Sequence, residues 1–250
     1  MSAIWAACSS RAAPAPLAGD AFRLVESQAQ VATNALVRTL SEQALLEDLI
    51  ETSKPPRPAA AHGLHYLLAT PFRYPPLPWG SRFGSRFEPS LFYASRSTDT
   101  CLAESAYYRC VFWSGMATPP PAPLDTRHTL FSVPLRAARG LQLQHPPFDE
   151  FSAELTHRRD YTATQALGSS LREAGVDAIE YTSARDAEAG SNVALFTPAA
   201  LGATQPTMLD EWLCSTGADA VTYYSRAGGG FREFRRAAFL LDGELPLPAA

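Results

Sequence analysis

Clustered prolines constrain this chain most, because proline fixes its own φ angle and disfavours helix at the residue before it. Many of the 21 prolines fall into three clusters, at 55–58, 71–78 and 119–123. Regular structure is therefore expected in short segments between these clusters. The segments show neither an internal repeat nor a clean alternation of strands with helices, which predicts a single α+β domain.

These segments predict several helices and short strands. Helices are expected at about 34–52, where Thr33 or Asn34 could cap an apolar stripe, at 98–113 after a cap within 97–99, at 162–174 before Gly175, and at 206–214. Strands are expected at 91–94, 129–135, 176–181 and 193–196, while 64–69 could be a strand or a short helix. The proline-rich segment 71–80 is expected to be an irregular loop.

The two ends of the chain lack a clear periodicity. Residues 1–20 are rich in Ala, Pro and Ser, which predicts a flexible arm in front of a domain that occupies 21–250. Within that domain, 21–200 is the expected core and 201–250 a C-terminal extension. The extension mixes β-like pieces with a glycine hinge at 228–230 and a basic patch at 232–236.

Composition narrows the classes of function. Lys and Arg total 21 against 25 Asp and Glu, a formal net charge of −4, so no direct binding of nucleic acid is expected. The 4 cysteines form no C-x-x-C pair and no zinc spacing with the histidines, which predicts reduced thiols, a cytoplasmic protein and no metal site. No stretch approaches the roughly 20 apolar residues needed to span a bilayer.

Standard nucleotide and hydrolase motifs are absent from the sequence: it has no G-x-G-x-x-G, no P-loop, no G-x-S-x-G and no H-E-x-x-H. Polar residues concentrate instead in segment 72–108 and just after the predicted strand 176–181. The candidate functional residues in these two places are Arg73, Arg82, Arg86, Tyr93, Glu104, Ser183, Arg185, Asp186 and Asn192.

Each candidate allows a functional and a structural interpretation. Arginines at loop ends could hold a pyrophosphate, or could be solvated or pair with Glu88. Tyr93 could stack on a base or a nicotinamide ring, or be a core aromatic. Glu104 could support a cationic sugar centre or be exposed, and Ser183 could be a turn residue. Taken singly, none of them identifies an enzyme.

Taken in order, the candidates resemble the RES-domain toxins of bacterial toxin–antitoxin systems, a family named for an Arg, a Glu and a Ser. The matching pieces are Gly80-Ser-Arg82-Phe83, Leu91-Phe-Tyr93, Leu102-Ala-Glu104, Ser183 in YTSARD and Asn192 in SNVALF. Tyr93 lies eleven positions after Arg82, and Glu104 lies eleven positions after Tyr93. Because the turn repeats as GSRFGSRF, Arg86 competes with Arg82, and the spacing favours Arg82.

The resemblance covers about residues 21–200 and implies a fold similar to the ADP-ribosyltransferase toxins, with NAD⁺ as substrate. Known members hydrolyse or phosphorolyse NAD⁺, or transfer its ADP-ribose to a protein. The chain beyond the core favours a protein acceptor, hence a mono-ADP-ribosyltransferase. An NAD⁺ glycohydrolase or phosphorylase and a catalytically silent binding protein are the alternatives. The implied partner is a helix-turn-helix antitoxin that covers the active site, in a homodimer or a hetero-oligomer with it.

The resemblance also implies which residues bind the dinucleotide. Arg82 would hold the pyrophosphate, together with Arg23, the candidate for an additional N-terminal arginine of the family, and with Arg73. Tyr93 would stack on the nicotinamide ring.

The remaining implied roles concern the reacting sugar. Glu104 would stabilise the oxocarbenium-like ribose that forms as nicotinamide leaves. Ser183 and Asn192 would hydrogen-bond the ribose or the carboxamide.

Overall fold

Helices and strands follow one another irregularly in the computed structural model, which describes residues 1–27, 36–227 and 230–247. The helices are α1 (Ala3–Cys8), α2 (Leu40–Ser53), α3 (Tyr66–Arg73), α4 (Thr98–Ser114), α5 (Ser152–Leu155) and α6 (Thr162–Glu173). The strands are β1 (Ala15–Glu26), β2 (Phe92–Ser95), β3 (Leu124–Gln142), β4 (Ala178–Thr182), β5 (Ser191–Leu195), β6 (Met208–Thr216), β7 (Ala220–Ser225) and β8 (Gly230–Arg235). None of the helices described is long and apolar enough to cross a lipid bilayer.

All the described strands join one sheet in the order β1-β2-β5-β4-β3-β6-β7-β8. Strand β1 also pairs with β3, so β1, β2, β5, β4 and β3 form a closed ring of strand pairings. The pairing of β3 with β4 is parallel, whereas the other pairings are antiparallel. This mixed sheet with its surrounding helices confirms the predicted single α+β domain.

Helices cover the sheet through separate apolar clusters. Leu102 and Tyr107 of α4 pack with Trp212 of β6 in one cluster. Leu171 of α6 packs with Ile179 of β4 in another. Helix α4 also contacts β1, β2 and β5, which belong to the closed ring of strands. It therefore lies between this ring and β6.

Several predicted elements are confirmed with small shifts in their ends. Helix α4 begins after Ser97, whose side chain accepts a hydrogen bond from the amide of Thr100. Helix α6 ends before Gly175, which has a φ of +70°, the left-handed conformation expected at this position. Strands β2, β4 and β5 overlap the predicted segments, and β3 extends well beyond the predicted 129–135.

The prediction that residues 1–20 form a flexible arm is wrong. Helix α1 buries Ile4 and Cys8 in the same apolar cluster as α6, and the amide of Ser2 donates to Ser170 Oγ at 2.8 Å. Strand β1 already begins at Ala15 and pairs with β3. Short Ala-rich elements have no visible periodicity, but contacts with distant residues hold them in place.

The predicted helix 34–52 begins later than expected, at Leu40. Thr39 caps it in a capping box, because its side chain accepts from the amide of Glu42 while Glu42 Oε2 accepts from the amide of Thr39. The alternative caps at 33 and 34 lie outside the described residues. The expected apolar stripe is not buried: Leu40 is 90% exposed and Leu45 60%.

Two further predictions fail, and one falls partly outside the described residues. The segment predicted as a helix at 206–214 is strand β6, because it pairs along β3. Pro71, assigned to an irregular loop, lies inside α3. This helix ends before Tyr74, which is extended because it precedes Pro75. Of the glycine hinge at 228–230, the structure describes Gly230, with which β8 begins.

Candidate active site

A cavity of about 630 Å³ lies between β1, α3, α4 and the turn at 80–82. Its volume falls within the usual range of about 300–1,000 Å³ for small-molecule sites. The predicted site residues that line it are Arg23, Arg82, Tyr93, Glu104 and Asn192. Residues from separate parts of the chain thus meet at one concave surface.

Glu104 of α4 is held by two hydrogen bonds to the same carboxylate oxygen. Ser183 Oγ and Asn192 Nδ2 each donate to its Oε1 at 2.6 Å. These short bonds to a carboxylate fix the side chain. Since both bonds use Oε1, the second oxygen, Oε2, is left to interact with a ligand in the cavity.

The two donors are themselves fixed by the surrounding backbone and side chains. Ser183 Oγ also accepts from the amides of Arg185 and Asp186, at 3.1 and 3.0 Å. Asn192 Oδ1 accepts from Ser95 Oγ at 2.7 Å, across the pairing of β2 with β5. Ser183 is not among the residues that line the cavity, so the predicted contact of this residue with the ribose or the carboxamide is not supported, and its hydroxyl holds Glu104 from behind.

Tyr93 contributes its ring to the cavity wall, and its hydroxyl braces the turn before it. The hydroxyl accepts from the amide of Phe83 at 3.0 Å and lies 2.8 Å from Ser81 Oγ. Burial raises the pKa of Tyr93 to about 12, so the hydroxyl keeps its proton. Tyr93 therefore determines where the turn, and the arginine on it, lies.

The turn places Arg82 in the cavity and leaves Arg86 outside it. Gly80 adopts a φ of +77°, and a Cβ there would lie 2.5 Å from the carbonyl oxygen of Gly84, so this position requires glycine. The guanidinium of Arg82 lies 4.5 Å from the ring centre of Tyr161. Arg86 stacks instead on Phe87 and does not line the cavity. The geometry thus favours Arg82, as the spacing does.

The carbonyl oxygens of Leu155 and His157 hold Arg82 through one of its three nitrogens. Nη1 donates to them at 3.2 and 3.0 Å. The other guanidinium nitrogens of Arg82 can therefore donate to a ligand.

Arg23 reaches the cavity wall from strand β1. Its Nη1 donates to the carbonyl oxygen of Tyr93 at 2.7 Å, and its guanidinium lies 5.3 Å from the ring centre of Phe92. Its Nε is buried without a hydrogen-bond partner in the described structure, and burial lowers the pKa of this guanidinium. Arg23 is therefore a positively charged residue of the cavity wall whose Nε donor has no partner in the described structure.

Arg73 does not join the other predicted residues at the cavity. Its Nη1 donates to Glu51 Oε1 at 2.7 Å and its Nε to the carbonyl oxygen of Pro55 at 2.6 Å. It links the end of α3 to the end of α2 and is absent from the cavity wall. Its position in the sequence, close to the other arginines, gave no indication of this pairing.

Several cavity residues were not assigned a role from the sequence. Arg185 stood out in the YTSARD segment without an assigned function, and the aromatic residues carried no recognisable signal. These additional wall residues are Tyr108, Tyr161, Tyr181 and Arg185. The cavity therefore holds more aromatic and cationic surface than the motifs alone indicate.

Comparisons with known proteins identify a family for the central part of the chain. The family model described as "RES domain" matches residues 55–217, well over half of the 250 residues. No curated protein matches the chain. Among solved structures, it is similar to a chain in the crystal structure of the M. tuberculosis MbcT–MbcA toxin–antitoxin complex. The TM-score is 0.46 at 10% sequence identity, covering 80% of this chain and 86% of that chain.

Proposed function

Because the chain belongs to the RES domain family, we propose that it is the toxin of a bacterial toxin–antitoxin system and that its cavity cleaves the nicotinamide–ribose bond of NAD⁺. The observation that carries this proposal is the fixed carboxylate of Glu104, held through Oε1 in the wall of a cavity whose other charged groups are mainly arginines. Such a site suits an anionic ligand that develops a positive charge at one carbon.

The chemistry of the leaving group explains why one carboxylate is enough. When the bond to ribose breaks, its electron pair leaves with nicotinamide, which becomes neutral and needs no acid. The ribose is left with oxocarbenium character, as in glycoside cleavage. Glu104, whose position is fixed before the reaction, stabilises that charge and can accept the proton of the incoming acceptor. The acceptor oxygen then forms the new bond at the same carbon.

The rest of the cavity suits the remainder of the dinucleotide. Arg23 and Arg82 line it without forming an ion pair to a carboxylate in the described part of the chain. Arginine donors of this kind bind phosphate oxygens well. We assign the ring of Tyr93 to the nicotinamide and Asn192 to a ribose hydroxyl or the carboxamide.

The acceptor of the ADP-ribose is the finer part of the proposal. A protein acceptor was favoured because the chain continues beyond the core, but this segment supplies β6, β7 and β8 of the sheet. Because these strands complete the fold, the length of the segment is not by itself an argument for a protein acceptor. The site therefore supports cleavage, and protein, water and phosphate are the acceptors that an assay must separate.

An antitoxin is the proposed protein partner, seated over the mouth of the cavity. Three apolar wall residues are largely exposed there: Tyr66 by 46%, Tyr74 by 40% and Leu77 by 55%. Exposed apolar groups around a concave site commonly mark a protein contact.

The test is incubation of the purified, antitoxin-free protein with NAD⁺ labelled in the adenine half, with and without cell extract. Free nicotinamide with label on an extract protein establishes a protein ADP-ribosyltransferase. Free nicotinamide with label in small molecules means hydrolysis or phosphorolysis, which omission of phosphate separates. Intact NAD⁺ under every condition contradicts the proposal and leaves a binding protein.

A further inference from the structure

Arg185 is a buried arginine beside the catalytic carboxylate, in the loop after β4. It is 5% exposed and lines the cavity. Its amide donates to Ser183 Oγ, the group that also donates to Glu104. The position of Arg185 is therefore tied to that of the carboxylate.

The guanidinium of Arg185 is fixed on one side and unpaired on the other. Its Nη2 donates to the carbonyl oxygen of Arg158 at 2.6 Å and lies 3.3 Å from the hydroxyl of Tyr161. Its Cζ lies 3.6 Å from the ring centre of Tyr107. Its Nη1 is buried and has no hydrogen-bond partner in the described structure. Stacking on an aromatic ring holds the cation, but it satisfies none of the Nη1 hydrogens.

A buried guanidinium with an unpaired nitrogen would be stabilised by a bound anion. No Asp or Glu in the described part of the chain forms an ion pair with Arg185. A buried charge that lacks both a counter-ion and a full set of hydrogen bonds is costly. An anionic ligand in the cavity would supply both.

A second unpaired arginine contacts the same tyrosine. Arg82 stacks on the ring of Tyr161, with Cζ 4.5 Å from its centre, while Arg185 Nη2 approaches its hydroxyl. One guanidinium group therefore contacts the ring of Tyr161 and the other contacts its hydroxyl. Two cations beside one tyrosine side chain suit a ligand with two linked negative groups, because each group can accept from one guanidinium.

We propose that Arg185, through its unpaired Nη1, binds the pyrophosphate of the dinucleotide together with Arg82. In this proposal Arg185 takes the role that was predicted for Arg73. The identity of the dinucleotide rests on the proposed function, whereas an anion site at Arg185 can be tested with inorganic pyrophosphate alone.

Calorimetric titration of the full-length protein with pyrophosphate, and separately with ADP-ribose, tests the proposal. Arg185→Gln should raise both dissociation constants by about 10- to 100-fold, the usual effect of losing a charged hydrogen bond. Arg185→Lys, which keeps the charge but not the planar donors, should fall between that variant and the wild type. Arg86→Gln, outside the cavity, is the matched control and should bind as the wild type does.

Wild-type affinity in folded Arg185→Gln, or failure of the wild-type protein to bind either anion, would overturn the proposal. If Arg185→Gln does not fold, wild-type crystals soaked with ADP-ribose decide. A phosphate oxygen within about 3.2 Å of Arg185 Nη1 supports the assignment, and phosphates bound elsewhere refute it. NAD⁺ cleavage with no dependence of binding on Arg185 refutes this inference alone. Pyrophosphate binding through Arg185 without cleavage refutes the proposed function alone.

Discussion

Replacing Gly168 by alanine tests how closely α6 packs against the turn that carries Arg82. An added Cβ would lie 1.8 Å from the carbonyl oxygen of Phe83 and 2.7 Å from its carbonyl carbon. Both are backbone atoms, so helix and turn must separate by about 1.5 Å to regain ordinary contact. Alanine in a helix normally gains about 1 kcal/mol over glycine, but overpacking of this kind costs typically about 1–3 kcal/mol or more.

Because the overlap is with backbone atoms that cannot rotate away, we take the cost as about 3 kcal/mol, so Gly168→Ala should destabilise the protein by about 2 kcal/mol net and lower Tm by roughly 4–8 °C. Displacing Arg82 by more than 1 Å should also slow nicotinamide release by about 100-fold. Thermal melts and a nicotinamide assay measure both effects. Gly115→Ala is the control, since its Cβ would meet nothing closer than 3.5 Å. Normal stability and activity in Gly168→Ala would refute the close packing on which the site description depends.

Four further changes have defined outcomes. Ser183→Ala and Asn192→Ala each remove one hydrogen bond to the carboxylate of the site. Each should lower kcat about 10-fold with a smaller effect on ADP-ribose affinity, measured by steady-state kinetics and calorimetry. Burial and the nearby Arg109 lower the pKa of His128 to about 4, so the unfolded chain is protonated first and stability should fall by about 2–3 kcal/mol between pH 6.5 and 4. Urea unfolding of His128→Gln should show this slope removed, and an unchanged slope would contradict the assignment. Truncation after Arg235 removes carbonyl groups that bond to α4 and to the loop beside the cavity. It should lower Tm and weaken ADP-ribose binding, and wild-type values for both would show that this tail is dispensable.

The spacing of the motifs predicted much of the site because short-range structure connects its parts. Arg82, Tyr93 and Glu104 lie on consecutive pieces of chain, a turn, a strand and a helix, whose lengths the sequence indicates. The helix cap at Ser97 fixes where α4 begins and so which face Glu104 occupies. To predict that these residues meet at one cavity, the only long-range contact required is the packing of α4 on the sheet.

Long-range pairing decided the structure of β6, which was predicted as a helix. Leu209, Trp212 and Leu213 are spaced like one face of a helix. In the structure β6 buries Trp212 completely while Leu209 stays 61% exposed and Leu213 51%. The partner of β6 is β3, about 80 residues earlier in the chain, and periodicity within a short window carries no information about it.

The arginines show the same limit at the level of side chains. Arg73 and Arg185 look equivalent in sequence, since each follows an element near other polar residues. Glu51 pairs with Arg73, whereas Arg185 lies against Tyr107 with one nitrogen unpaired. Which arginine is available to a ligand depends on which carboxylates the fold brings close, and sequence spacing does not give that.

The central claim, that Glu104 drives the cleavage of NAD⁺, is tested most directly by nicotinamide release from Glu104→Gln. Glu173→Gln is the matched control, because Glu173 is exposed on α6 and lies outside the cavity. The account predicts that Glu104→Gln lowers turnover by about 100- to 1,000-fold and leaves ADP-ribose affinity nearly unchanged, while the control matches the wild type. Near-normal nicotinamide release by folded Glu104→Gln would contradict it.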